Sequence, residues 1–271
     1  LLITSLRNPK VKALRSLRQR KYRQQEGRFL VEGIRIVEEA LVCRAPVEFL
    51  IYAPDLLVSL RARALVDQVE PAQRLVLSSE AFRSISDRDN PQGIAATVRI
   101  EAPGLDTIPP SKDMLVIVAY KLRDPGNLGS IIRTADAAGA TGLVIVGPSV
   151  DLYDPHAVRA TMGSLFSLPI VRLKDGGPLP FWYEEIRAEG LPLLVAATSA
   201  HGRQNYFDAD LCRPVVLLVG SERHGLPEPV QAGADTVLRL PMSGRATSLN
   251  VSAATAALVF EIVRQRLAKS D

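Results

Sequence analysis

Two apolar patterns divide the chain. In the first hundred residues, short apolar stretches alternate in type. Asn8-Pro9 can cap and open a helix. Val11, Leu14 and Leu17 then line one helical face, while Lys10, Lys12, Arg15 and Arg18 point elsewhere. Phe29-Leu30-Val31 predicts a strand, and Ile34, Val37 and Leu41 predict a helix face. Val47 to Tyr52 predicts a strand, Leu60 to Val69 a helix, Arg74 to Leu77 a strand, and Gly93 to Ile100 closes the series. From Met114 onward the pattern changes. Residues 114–119, 143–146, 193–197 and 215–219 are continuous apolar runs without alternation. Such runs suit strands buried on both faces, in a parallel sheet with helices between them. Helices fit at Ser130 to Ala138 and from about Asn250 to Leu267. Residues 101–112, with three prolines and a glycine, read as a linker. The expected architecture is α/β: a small domain over 1–100, a linker over 101–112, and a parallel-sheet domain over 113–271.

Charge changes this picture at one end. The 271 residues carry 33 basic and 29 acidic side chains, a net of +4. Residues 1–30 hold nine bases against the single acid Glu26, so the remainder has a net charge of −4. The excess lies on Lys10, Lys12, Arg15, Arg18, Arg20, Lys21 and Arg23, which are expected to contact RNA phosphates. A membrane-surface role fits less well, because the apolar face between these bases has no aromatic anchor. Tyr22 and Tyr52 are available to stack on bases, whereas Phe29 reads as core. No apolar run approaches the ~18–20 residues that span a bilayer, and the first residues lack a secretory pattern. Cys43 and Cys212 are too few for a disulfide scaffold. A cytoplasmic setting is expected.

Several chemistries drop out. His156, His201 and His224 lack metal-ligand spacing with one another or with the cysteines, so no metal is expected. There is no Gly-x-Ser-x-Gly elbow and no Walker phosphate loop. Gly126 and Gly129 do not make the three-glycine dinucleotide fingerprint. Three polar segments remain, each following a buried strand or loop: Asn127-Leu-Gly-Ser-Ile-Ile-Arg133-Thr-Ala135, Gly220-Ser-Glu222-Arg-His-Gly225-Leu226, and Leu240-Pro-Met-Ser-Gly-Arg-Ala-Thr-Ser248-Leu249-Asn250-Val251. Taken singly, each reads as ordinary structure. Asn127 would be a helix N-cap and Glu222 a solvated turn residue, with Ser248 and Asn250 capping the last helix.

Taken together, in this order, the three segments resemble the motifs of SpoU/TrmH-type RNA 2′-O-ribose methyltransferases of the SPOUT superfamily. Asp154-Pro-His-Ala-Val-Arg159-Ala-Thr-Met-Gly163-Ser resembles a further family segment, and Arg159 joins the expected RNA contacts. Asn8-Pro-x-Val-Lys12 and Phe29-Leu-Val-Glu-Gly33 resemble the family's ribosomal-protein-like substrate-binding domain. The second motif departs from the common form, with Ser221 and Arg223 flanking Glu222 where Asn and Gly are frequent. The resemblance implies a SPOUT fold with a deep C-terminal trefoil knot, a homodimer, and S-adenosylmethionine held at Gly220, Leu240 and Leu249. It implies catalytic work for Arg133, with Asn127, Glu222, Ser248 and Asn250 around it, and methyl transfer to a ribose 2′-hydroxyl. Ribosomal RNA is the expected substrate; transfer RNA, or a non-catalytic role in ribosome assembly, are the alternatives.

Overall fold

A computed structural model describes residues 2–270. Leu1 and Asp271, the outer limits of the two expected domains, lie outside the described residues. The chain forms two compact units.

The first unit comprises Leu1–Glu101 with Asp151–Ser167. Its elements run β1 (Leu2–Ile3), α1 (Pro9–Ser16), α2 (Arg20–Glu26), β2 (Arg28–Glu32), α3 (Ile34–Val42), β3 (Val47–Tyr52), α4 (Leu60–Asp67), β4 (Arg74–Leu77), α5 (Ser79–Ile85) and β5 (Ile94–Arg99). The strands make one mixed sheet in the order β1-β4-β3-β5-β2, with β5 antiparallel to both neighbours. Helix α1 begins as its sequence directs. The Asn8 side chain accepts from the Lys10 N–H at 2.9 Å, and Pro9 takes the first turn. Its apolar face, Val11 and Leu14, is buried in a core with Phe82 and Ile85, which leaves Lys10, Lys12, Arg18, Arg20 and Lys21 exposed.

The second unit comprises Ala102–Val150 with Leu168–Asp271. Its first elements are β6 (Leu115–Tyr120), α6 (Pro125–Ala137) and β7 (Gly142–Val146); the short helix α7 (Pro155–Ala160) that follows in the chain belongs to the first unit. Then come β8 (Ile170–Leu173), α8 (Pro178–Ala188), β9 (Leu194–Thr198), β10 (Gln204–Asn205), β11 (Val215–Val219), α9 (Glu228–Ala232), β12 (Thr236–Arg239) and α10 (Val251–Ser270). The sheet has seven strands in the order β10-β12-β9-β11-β6-β7-β8, every pair parallel. Val116, Val118, Tyr120, Val144, Val195 and Leu218 cluster with Leu179, Trp182 and Ile186 of α8. Alternation along the strands turns Leu115, Ile117 and Ala119 to the opposite face. Ile108, within the proline-rich 101–112 stretch, is buried in the α8-side core. An added Cβ on Gly142 would lie 2.6 Å from its Cδ1.

The segment 151–167 packs in the first unit although it is distant in sequence. Phe29 of β2 lies 4.5 Å from Tyr153 and 6.4 Å from Phe166, centroid to centroid. The Arg23 guanidinium pairs with Asp151 at 2.7 Å.

Candidate active site

The strands β9, β11 and β12 end side by side, the usual ligand edge of a parallel α/β sheet. A cleft of about 500 Å³ opens there. It is lined by Thr198 to His201 after β9, Gly220 to Leu226 after β11, and Leu240 and Met242 after β12, with Ser248, Leu249 and the first turns of α10 closing it. The three positions expected to hold the cofactor, Gly220, Leu240 and Leu249, all line this one cleft. The glycine at 220 has a local reason. A Cβ there would lie 2.0 Å from the Gly225 carbonyl carbon and 2.2 Å from the Leu226 nitrogen. Only glycine lets the chain fold back so closely. The reversal is closed by Ser221 and Gly225, which exchange backbone hydrogen bonds at 3.2 and 2.9 Å.

That turn presents Glu222, and a chain of hydrogen bonds through Asn127 joins it to the other two motifs. Asn127 Nδ2 donates to Glu222 Oε1 at 2.9 Å, and the N–H groups of Arg123 and Asp124 approach the two carboxylate oxygens at 3.4 Å. Asn250 Nδ2 donates to Asn127 Oδ1 at 2.9 Å. Desolvation raises the Glu222 carboxyl, but the bonds from Asn127, from its own backbone and from Arg123 and Asp124 outweigh it. The net effect holds it below the ordinary carboxylate range. Asn127 is itself buried, 9% exposed.

Asn127 is not the helix cap. Asp124 caps α6, its Oδ1 accepting from the Asn127 N–H at 2.7 Å, with Pro125 in the first turn. The Asp-Pro pair is a legible helix start, five residues earlier than the Ser130 suggested by the apolar pattern. Asn250 does both jobs. Its Oδ1 accepts from the Ser252 N–H at 2.8 Å and from the Ser252 hydroxyl at 2.7 Å, while its amide reaches Asn127. Asp124 and Ser252, which hold the asparagines in place, are the site residues that motif reading misses. Ser248 is exposed on the cleft wall. Arg133 stands apart. It lies six residues along α6 from Asn127, about 9 Å of rise. It is exposed and does not line the cleft, and its side chain makes no hydrogen bond or ion pair among the described residues.

The expected RNA contacts also divide. Lys10, Lys12, Arg18, Arg20 and Lys21 are exposed. Arg15 is half-buried and donates to the Leu6 carbonyl at 2.8 Å. Arg23 requires correction: it is 2% exposed, paired with Asp151, and donates to the carbonyls of Leu17 and Arg18 at 2.7 Å. Its charge is consumed inside the first unit. Arg159 is ion-paired with Asp87. Among the described residues no group of three His, Cys, Asp or Glu side chains is placed to hold a metal ion. Nor, among the described residues, is any helix long and apolar enough to cross a membrane.

The cleft fits S-adenosylmethionine by its chemistry. Its 500 Å³ lies within the ~300–1,000 Å³ typical of small-molecule sites. Leu226, Leu238, Leu240, Leu249 and Leu258 offer apolar walls for a flat ring, and the Glu222 carboxylate offers a partner for a cationic ligand.

Comparison with known proteins agrees with this geometry. Residues 114–260 match the SpoU rRNA methylase family, and residues 8–96 match the MRM3-like substrate-binding domain. A 23S rRNA (uridine(2479)-2′-O)-methyltransferase of Streptomyces viridochromogenes is 38% identical, over 93% of this chain and 88% of its own. A 23S rRNA (guanosine(2553)-2′-O)-methyltransferase of Bacillus subtilis is 34% identical, over 96% of this chain and 98% of its own. Among solved structures, the SpoU methyltransferase AviRb of S. viridochromogenes, in complex with AdoMet, superposes with a TM-score of 0.89 at 37% identity, covering 96% of this chain and 99% of its own. With two relatives matching over nearly their whole length and the three motifs joined in one hydrogen-bonded network, the chain belongs to the SpoU rRNA methylase family.

Proposed function

We propose that this protein transfers the methyl group of S-adenosylmethionine to a ribose 2′-hydroxyl of ribosomal RNA. The observation that carries the reading is the Glu222–Asn127–Asn250 network, which ties the three motif segments together at the mouth of a cofactor-sized cleft. Both full-length relatives are named for this reaction on 23S rRNA, one at a uridine and one at a guanosine. The division of labour follows the two units: the first, residues 1–101 with 151–167, holds RNA, and the second, residues 102–150 with 168–271, does the chemistry.

Gly220, Leu240 and Leu249 would hold the cofactor, which when bound supplies an electrophilic methyl on a positively charged sulfur. Glu222, ionised across the neutral range, is a poor base for a hydroxyl and a good anchor. With Asn127 and Asn250 it fixes the start of α6 and the loop before α10 in one register, and Ser248 borders the reacting group. Arg133 grips the target phosphate and stabilises negative charge developing on the 2′-oxygen, the proton leaving to phosphate or water. A guanidinium has five N–H donors and no acceptor, which fits it for that role rather than for taking the proton. Because Arg133 is exposed and lies off its own chain's cleft, we assign it to the site of a second copy, in a homodimer. The exposed side chains of Phe260 and Leu267 on α10 support such an association. The trefoil knot implied by the motifs, formed by the chain beyond β12, belongs to the same reading, as does a cytoplasmic setting beside ribosomes.

The test is transfer of labelled methyl from S-adenosylmethionine to unmodified ribosomal RNA and, separately, to transfer RNA, with Arg133→Ala alongside. The expected result is label in ribosomal RNA, recovered as 2′-O-methylribose and absent with the variant. Label in transfer RNA alone overturns the substrate. Cofactor binding without transfer to either overturns the enzymatic reading in favour of an assembly factor.

A further inference from the structure

The second unit contains another cleft, of about 560 Å³, that shares no lining residue with the cofactor cleft. It opens where β6, β7 and β8 end, again at the ligand edge of the sheet. Leu179, Val195, Leu218 and Val230 give it apolar walls. Tyr120 lines it, and three features of that side chain point to a ligand. It is only 6% exposed, its phenol makes no hydrogen bond among the described residues, and Gly176 makes room for it. A Cβ on Gly176 would lie 2.8 Å from the Tyr120 oxygen. Tyr183, also on the lining, has a buried hydroxyl without a partner among the described residues.

At the rim stand Lys121 and Lys174, both exposed, neither ammonium group paired among the described residues. The Lys121 backbone has φ +52°, a left-handed conformation that a non-glycine residue holds only where its surroundings impose it. Its stem runs beside Gly147, where an added Cβ would lie 3.2 Å from Lys121 Cγ.

We propose that this cleft binds one nucleotide unit, with the base between the apolar walls and the two tyrosines and the phosphate on Lys121 and Lys174. The cleft calls for a flat, largely apolar body with hydrogen-bonding edges and one anionic end. An aliphatic acid leaves the Tyr120 phenol unpaired, and a bare polyanion leaves the apolar walls empty. A base with its phosphate meets all three requirements. The nucleotide has two sources, a free nucleoside monophosphate or a residue of the RNA strand, and only the second rests on the methyltransferase reading.

Trp182, the single tryptophan, lies with its ring 5.8 Å from that of Tyr183 and reports occupancy by fluorescence. The full chain and a Lys121→Ala/Lys174→Ala variant are titrated with uridine and guanosine 5′-monophosphates and with a short single-stranded RNA. The expected result is a saturable change with at least one probe, roughly tenfold weaker in the variant from loss of charged contacts, with affinity for S-adenosylmethionine unchanged. Saturation by a monophosphate identifies a free nucleotide as ligand; saturation by RNA alone identifies the substrate strand. No saturable change with any probe, equal affinity in the two proteins, or a parallel loss of S-adenosylmethionine affinity overturns the proposal. Methyl transfer is scored separately. Lysine-dependent binding in a protein that methylates no RNA keeps the cleft and overturns the methyltransferase reading.

Discussion

Asn127 works by having two different ends. Its amide nitrogen donates to Glu222 and its oxygen accepts from Asn250, so one side chain joins the turn after β11 to the loop before α10. Asn127→Asp keeps the shape and reverses one end, setting two carboxylates against each other at about the 2.9 Å now spanned by a hydrogen bond. Like charges at that range cannot both stay ionised, so the pair takes up a proton at higher pH than either group alone. The folded variant then binds more protons than its unfolded chain, and its stability falls as pH rises through the raised value. Melting temperature measured against pH is expected to show a deficit at pH 7–8 that narrows toward pH 5. The parent protein has the opposite sign at Glu222. A carboxyl held below its ordinary range adds stability above the unfolded pKa, and that stability is lost only as pH falls through the lowered value. Arg133 is tested by a conservative change. Arg133→Lys keeps the charge and removes the planar fork, so turnover is expected to fall about a hundredfold, in line with the loss of a single oxyanion donor, at nearly unchanged cofactor affinity. Unimpaired turnover in that variant refutes the assignment.

Helices α1 and α2 separate charges that face solvent from those consumed in packing. Replacing Lys10, Lys12, Arg18, Arg20 and Lys21 by glutamine is expected to flatten the slope of log affinity for RNA against log salt by up to about 3.5–4.5, at roughly 0.7 to 0.9 for each phosphate no longer neutralised. Arg23→Met does something else. It leaves the half-buried Asp151 carboxylate without its ion-pair partner and is expected to cost about 3 kcal/mol, the lower end for a buried pair, in a denaturant titration. Nothing in the local sequence separates these arginines, because the carboxylate that captures Arg23 lies 128 residues away. The same limit explains what else the pattern of the chain conceals. Strands β6, β7, β9 and β11, flanked on both sides, read directly as apolar runs. Strands β8 and β12 mix buried with half-exposed and exposed positions and carry no such run. Membership of 151–167 in the first unit depends on Tyr153 and Phe166 meeting Phe29, an encounter with no local signature. At the site, the residue types and their order were legible as motifs. That Asn127, Glu222 and Asn250 form one chain of hydrogen bonds, while Arg133 does not join it, required the fold.

In the whole molecule, the separation of Arg133 from its own cleft becomes a question of how many chains make one active site. If the arginine serves the second copy of a homodimer, a site needs Arg133 from one chain and Glu222 from the other. A heterodimer of Arg133→Ala with Glu222→Ala then holds one site with neither defect and one with both. Co-expressed with two affinity tags and purified as the mixed dimer, it is expected to turn over at about half the wild-type rate, although each parent homodimer is inactive; the two-fold symmetry of the assembly requires this ratio. The mixed dimer of Asn127→Ala with Glu222→Ala is the control. Those two side chains are hydrogen-bonded within one chain, so each of its sites carries a defect and no activity returns. Rescue in the first pair and none in the second establishes that the site is composite and identifies Arg133 as the contribution of the second chain. Failure in both pairs returns Arg133 to its own subunit's chemistry, and α6 must then bring it to the cleft by a movement once RNA is bound.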